Sequence, residues 1–76
     1  MSSNLPPMPQ RIRDIFNACF TYRRKYQFPQ NTVEWWEAAT DEMTAIIKHF
    51  DGDPLAVDML AACYMDLEFE MEKGSG

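Results

Sequence analysis

The sequence predicts an all-α fold, a three-helix bundle in which the third helix is central. In three separate segments, apolar residues recur at intervals of three and four, which is the spacing of a helix with one buried face. Proline and glycine separate these segments at Phe28-Pro29 and at Asp51-Gly52-Asp53-Pro54. No pair of alternating runs is present that would form a sheet, so helices are the favoured elements.

The length limits the chain to one small domain. With 76 residues, it buries only roughly 60% of the surface that its unfolded chain exposes, so its stability is expected to be modest. We predict a flexible N-terminal arm at residues 1–9, a single helical domain at residues 10–73 and a flexible tail at residues 74–76. Dense packing or self-association would have to stabilise a domain of this size.

The two cysteines favour a reduced, cytoplasmic protein. Cys19 and Cys63 fall on different predicted helices without a C-x-x-C spacing, and the N-terminus has no apolar core typical of a signal peptide. Each lies on the apolar side of its helix, so we predict two buried thiols. A bridge between Cys19 and Cys63 is the alternative.

Helix 1 is predicted to begin near Pro9 and to end before Phe28-Pro29, because a residue that precedes proline avoids helical geometry. The three prolines among the first nine residues show no helical period, so residues 1–9 are predicted to be extended or disordered. The predicted apolar face of helix 1 consists of Ile12, Ile15, Phe16, Cys19, Phe20, Tyr22 and Tyr26.

Helix 2 is predicted at about residues 32–51. Asn31 and Glu34 have the spacing of a capping box at its start, and Asp51-Gly52 would end it with glycine in the left-handed conformation. Trp35 lies at the margin of its apolar stripe, where it would pack against helix 1 or the arm, or else anchor an interface. The stripe itself consists of Trp36, Ala39, Met43, Ile46, Ile47 and Phe50.

Helix 3 carries two apolar stripes on nearly opposite sides. Asp53 and Pro54 supply a cap and a first-turn proline, and the alternation of apolar and acidic residues at 67–72 is assigned to the same helix because no partner strand exists. The carboxylates near its C-terminus oppose the helix dipole, so the last turn is expected to fray. One stripe consists of Ala56, Leu60, Cys63, Tyr64, Leu67 and Met71, and the other of Leu55, Ala62, Met65 and Phe69.

The second stripe of helix 3 is the strongest functional signal in the chain. Two short helices can readily cover only one of the stripes, so we predict that Leu55, Ala62, Met65 and Phe69 contact another protein, with Trp35 as a second anchor. Docking of the N-terminal arm on this stripe through apolar residues such as Leu5 and Met8 is the alternative.

Basic and acidic residues are divided along the chain. Residues 1–30 carry a charge of +4 and residues 31–76 carry −9, which together give the net charge of −5. This division places helix 1 in the field of the acidic helices, or brings the basic side of one molecule to the acidic side of another. The basic residues scatter around helix 1 and the acidic remainder repels phosphate, so no nucleic-acid partner is predicted.

Arg23 falls inside the apolar stripe of helix 1. Its guanidinium either reaches solvent along an apolar stem or pairs with a carboxylate of helix 3, for which Asp66 and Glu70 are the candidates. Ligand binding by Arg23 is the third interpretation.

No catalytic, metal-binding or phosphate-binding motif is present. His49 is the only histidine, and an acid/base pair with Glu42 would need a pocket that three short helices rarely enclose. The chain has no run of 18 apolar residues. We therefore predict no enzymatic activity, no cofactor or metal, no small-molecule substrate and no membrane partner.

The layout resembles that of a group of mobile-element proteins. The proline-punctuated arm, the three helices, the Asn31/Glu34 start, the Asp51-Gly52-Asp53-Pro54 joint and the acidic end are similar to short uncharacterised helical proteins of Gram-positive conjugative transposons and prophages. The resemblance implies an accessory role in a mobile genetic element and a cytoplasmic setting.

These observations predict a non-enzymatic helical protein-interaction module that forms a homodimer. The first alternative is a regulator that binds a basic protein through the acidic surface of helix 3. A nucleic-acid-associated factor that uses helix 1, and then a small enzyme, are the weaker alternatives.

Overall fold

The chain folds into three α-helices, which confirms the predicted all-α, three-helix architecture. A computed structural model describes residues 5–75, with side chains through Lys73. The helices are α1 at Gln10–Lys25, α2 at Val33–His49 and α3 at Pro54–Ser75. The interface between α1 and α3 is the most extensive, and α3 also packs against α2.

The start of α1 follows the prolines of the N-terminal arm. Pro9 precedes the first helical residue with an extended backbone, and its carbonyl accepts a hydrogen bond of 3.1 Å from the Arg13 amide. Residues 5–9 have no regular secondary structure. The rest of the predicted arm, residues 1–4, lies outside the described residues.

The cap of α2 differs from the predicted one. Thr32 has an extended backbone, and its Oγ1 accepts a hydrogen bond of 3.2 Å from the Trp35 amide. The prediction of a capping box at Asn31 and Glu34 is therefore wrong, because the helix begins at Val33. A threonine directly before the first helical residue satisfies a free amide as effectively as an asparagine one position earlier would.

A left-handed turn connects α2 to α3. Asp51 and Gly52 both have positive φ, at 59° and 71°, and the Gly52 amide donates to the carbonyl of Ile47 at 2.9 Å. Glycine adopts this geometry at little cost, which ends α2. Asp53 Oδ1 then accepts from the Leu55 amide at 2.9 Å and caps α3. The left-handed glycine and the aspartate cap were both predicted.

The acidic C-terminal segment remains helical. The stretch at residues 67–72 belongs to α3, as predicted, and the helix continues through Ser75. The predicted fraying of the last turn and the predicted flexible tail at residues 74–76 concern mobility and stay predictions. Gly76 lies outside the described residues.

The core is small and lies where the three helices meet. Tyr22 is fully buried, and its hydroxyl donates to the Ala39 carbonyl at 2.9 Å, which ties α1 to α2. Burial also raises the pKa of Tyr22 to about 12, so it stays a neutral donor. The other buried residues are Ile15, Cys19, Tyr26, Ala39, Ala56, Leu60 and Leu67.

Candidate protein interface

The outer side of α3 exposes large apolar side chains. Met65 is 61% exposed and Phe69 is 56% exposed. Ala62, one helical turn before Met65, is also exposed. The Lys73 ammonium lies 5.7 Å from the centre of the Phe69 ring and covers part of it. Because the inner stripe of α3 already fills the core, Ala62, Met65 and Phe69 are left accessible on the outer side of the helix.

The described part of the N-terminal arm leaves this stripe open. Leu5 is 83% exposed and Met8 is 49% exposed, while Met65 and Phe69 remain accessible with residues 5–9 in place. Covering of the stripe by Leu5 and Met8, the alternative drawn from the sequence, does not occur in this structure.

Two of the predicted contact residues have intramolecular partners. Leu55 is half-buried and packs against the core. Trp35 is also half-buried, with its ring edge-to-face against Tyr26 at 5.5 Å and against Trp36 at 4.7 Å between centroids. Trp35 therefore helps to hold α2 against α1, which leaves Met65, Phe69 and Ala62 as the open part of the predicted interface.

Two phenylalanines of α1 join the exposed surface. The sequence placed Phe16 and Phe20 on the apolar face of helix 1, but they are 47% and 67% exposed. At about 100° per residue, the buried residues of α1 span an arc of about 60°, and Phe16 and Phe20 lie about 90° and 130° from its centre. Their i, i+4 spacing at one edge of a broad stripe was the signal that could have identified them.

Two ion pairs show the register between α1 and α3. Arg11 pairs with Asp53 near the start of both helices. Arg23, twelve residues after Arg11, pairs with Asp66, thirteen residues after Asp53. The two helices therefore run in the same direction, and a residue of α1 lies level with the residue about 43 positions later in α3. In this register, Phe20 is level with the turn of α3 that contains Ala62 and Met65.

The pairing of Arg23 with Asp66 places Phe16 and Phe20 on the α3 side of α1. The helical period places Ala62 and Phe69 on the Asp66 side of α3, with Met65 at the outer margin. We call this surface the α1–α3 face and define its apolar part as Phe16, Phe20, Ala62, Met65 and Phe69. At one end of the face, Phe20 lines a shallow groove together with charged residues of both helices. The other groove residues include Arg23, Arg24, Phe28, Asp66 and Glu70.

Arg23 forms the ion pair that one sequence interpretation proposed. Its Nη2 donates to Asp66 Oδ2 at 2.7 Å and its Nε donates to the same oxygen at 3.1 Å. The Arg23 side chain is 26% exposed, whereas that of Asp66 is 53% exposed. Glu70, the other predicted partner, lines the same groove. The pair therefore remains in contact with water.

Substitution Arg23→Met is expected to change the free energy of unfolding by less than about 1 kcal/mol, because solvent screens the pair and Asp66 stays hydrated without it. Urea unfolding followed by circular dichroism measures this change. Arg24→Met on an exposed position of the same helix is the matched control. A loss of about 3 kcal/mol or more would contradict the solvated pair and indicate a buried one.

Both cysteines are free thiols in this structure. Cys19 is buried and Cys63 is half-buried. Burial raises the pKa of the Cys19 thiol, and the neighbouring Cys63 raises it further. Burial also raises the pKa of Cys63. Both groups are therefore neutral and weakly nucleophilic at neutral pH.

Glu42 of α2 accepts hydrogen bonds from two residues at the C-terminal end of α1. Its Oε1 accepts hydrogen bonds from Lys25 Nζ at 2.8 Å and from the Tyr26 hydroxyl at 2.9 Å. The Lys25 hydrogen bond lowers the pKa of Glu42. His49 is exposed, with its ring edge-to-face against Phe50. Glu42 thus ties α2 to α1, and no contact joins it to His49 among the described side chains.

No group of three or more His, Cys, Asp or Glu side chains within residues 5–73 is arranged to hold a metal ion. None of the three helices, as far as they are described, combines the length and the apolar character needed to cross a bilayer.

Comparisons of the chain with known protein families, with curated proteins and with solved structures find no match.

Proposed function

We propose that this protein is a non-enzymatic, cytoplasmic interaction module that forms a homodimer through the α1–α3 face. The observation that supports this function is the exposure of Met65 and Phe69 on a helix whose opposite side already fills the core. Exposed apolar residues that are clustered, and not scattered singly, are typical of interaction surfaces.

The size of the face suits a modest dimer. The exposed parts of Phe16, Phe20, Met65 and Phe69 amount to roughly 450 Å² per copy, if a fully exposed side chain offers about 200 Å². Polar residues around the apolar part would bring the buried area towards the roughly 800 Å² per partner of a standard interface. An apolar centre with a charged rim is the usual anatomy of such a surface.

Self-association would also offset the small core. Only eight described apolar residues are fully or nearly buried, so the monomer has little apolar area from which to gain stability. Burying the phenylalanines of the α1–α3 face in a dimer would increase the free energy of unfolding of the chain. An accessory role in a mobile genetic element is the setting that the sequence resemblance implies for such a module.

The test is the molar mass of the full chain as a function of concentration. The molar mass from static light scattering is expected to rise with concentration, from 8.9 kDa for one chain in the micromolar range towards twice that value in the millimolar range. A constant monomer mass over this range would contradict homodimerisation. A monomer that binds a basic protein with steep salt dependence would instead support the alternative, a regulator that uses the acidic surface of α3.

A further inference from the structure

The two edges of the α1–α3 face carry opposite charges. On the α1 side, Arg13 and Arg24 are exposed at about the same angular position as Phe20. On the α3 side, Asp58 flanks Met65 and Phe69, and Glu70 lies closer to the seam. Lys73, whose ammonium lies over the Phe69 ring, adds one positive charge at the C-terminal end of this side. Within the described part of the chain, no ion pair involves Arg13 or Arg24. Their charges are therefore available to a molecule that docks on the face.

Only one of the two simple two-fold arrangements brings these edges together. A two-fold axis perpendicular to the helices would place α1 against α1 and α3 against α3, so that like charges would meet. An axis parallel to the helices places α1 of one copy against α3 of the other, in the same direction. Opposite charges then meet on both sides of the apolar centre.

We propose that the occupant of the α1–α3 face is a second copy of this chain, related by a two-fold axis parallel to the helices. This inference rests on the proposed function, because it specifies the partner and the geometry of the same surface. The basic edge of α1 recognises the acidic edge of α3 twice in each dimer. The division of charge along the sequence then selects the arrangement of the copies.

The register between α1 and α3 fixes which residues meet. A two-fold axis parallel to the helices preserves height, so Phe20 of one copy lies level with Ala62 of the other. Ala62 presents only a methyl group, so the Phe20 ring of the other copy has room beside Met65. By the same register, Arg13 approaches Asp58 of the other copy, and Arg24 approaches the turn that contains Glu70.

Charge reversal at one contact tests this arrangement. Arg13→Glu and Asp58→Lys are each expected to weaken the homodimer by roughly tenfold, because each dimer then contains two repulsive contacts. An equimolar mixture of the two variants is expected to form a heterodimer within about threefold of wild-type affinity, since it contains one restored and one native contact. Sedimentation velocity on the full chain at several concentrations measures the dimer affinity of each variant and of their mixture.

Matched controls on α2 separate local contacts from net charge. Lys48→Glu repeats the charge change of Arg13→Glu, and Glu37→Lys repeats that of Asp58→Lys, at exposed positions outside the face. Both are expected to leave dimer affinity within about twofold of wild type. Thermal unfolding of every variant excludes an effect through loss of the fold.

The outcomes distinguish failure of the arrangement from failure of the function. A wild-type dimer that tolerates both reversals, or whose mixture does not recover affinity, would overturn the parallel axis and leave homodimerisation intact. A wild-type chain that stays monomeric would overturn homodimerisation itself.

Discussion

Tyr22→Ala is expected to lower the free energy of unfolding by about 3–5 kcal/mol, the usual cost of removing a buried aromatic side chain. Tyr22 is fully buried between the helices and donates a hydrogen bond to Ala39. A domain of 76 residues has a total stability of about 4–11 kcal/mol at typical values per residue. The expected loss equals the total stability at the lower end of this range and is more than a quarter of it at the upper end, which circular dichroism and urea titration measure.

Two controls separate the contributions to this effect. Tyr22→Phe removes only the hydroxyl and is expected to cost about 1 kcal/mol, the value of one buried hydrogen bond. Phe28→Ala removes an aromatic ring that is 76% exposed and lies outside the apolar part of the α1–α3 face, and it is expected to cost less than Tyr22→Ala by at least about 2 kcal/mol. If Tyr22→Ala costs less than about 1 kcal/mol, the described core is wrong.

Phe69→Glu is expected to raise the dissociation constant of the homodimer by roughly a hundredfold, which corresponds to about 3 kcal/mol. The substitution removes an apolar contact in both copies and places two carboxylates in the apolar part of the interface, where desolvation is costly. Because Phe69 is 56% exposed in the monomer, the unfolding free energy of the monomer should change by less than about 0.5 kcal/mol. Sedimentation equilibrium measures the dissociation constant.

Val33→Glu is the matched control for Phe69→Glu. Val33 is 69% exposed and starts α2, so the same kind of change is made at an apolar residue outside the α1–α3 face. Its dimer affinity should stay within about threefold of wild type. If the two variants weaken the dimer equally, net charge and not the face controls association.

The helix boundaries were largely predictable because they depend on local chemistry. The prolines before α1, the left-handed Gly52 and the Asp53 cap act on backbone groups within a few residues, so the sequence pattern is sufficient to place them. The choice of Thr32 over Asn31 was not predictable in this way. Both side chains can cap a helix, so the local sequence pattern alone does not select between them.

The candidate interface was only partly predictable. The exposed stripe at Met65 and Phe69 followed from the helical period, since one helix with two apolar stripes has one more than a small core needs. Phe16 and Phe20 were assigned to the apolar face of helix 1 because a helical wheel gives the direction of a side chain and not the width of the covered arc. Trp35 was ambiguous for the same reason, and the structure packs it against Tyr26.

The sequence by itself determined three helices, the turns between them, the division of charge and the presence of surplus apolar residues on α3. These properties depend on interactions within about four residues or on composition, so the sequence contains them directly. Only the tertiary structure decided that Phe16 and Phe20 stay exposed, and that they lie on the side of α1 where Arg23 pairs with Asp66 of α3. That placement depends on the lateral position and the register of α1 against α3, which the pairs between residues about 43 positions apart show.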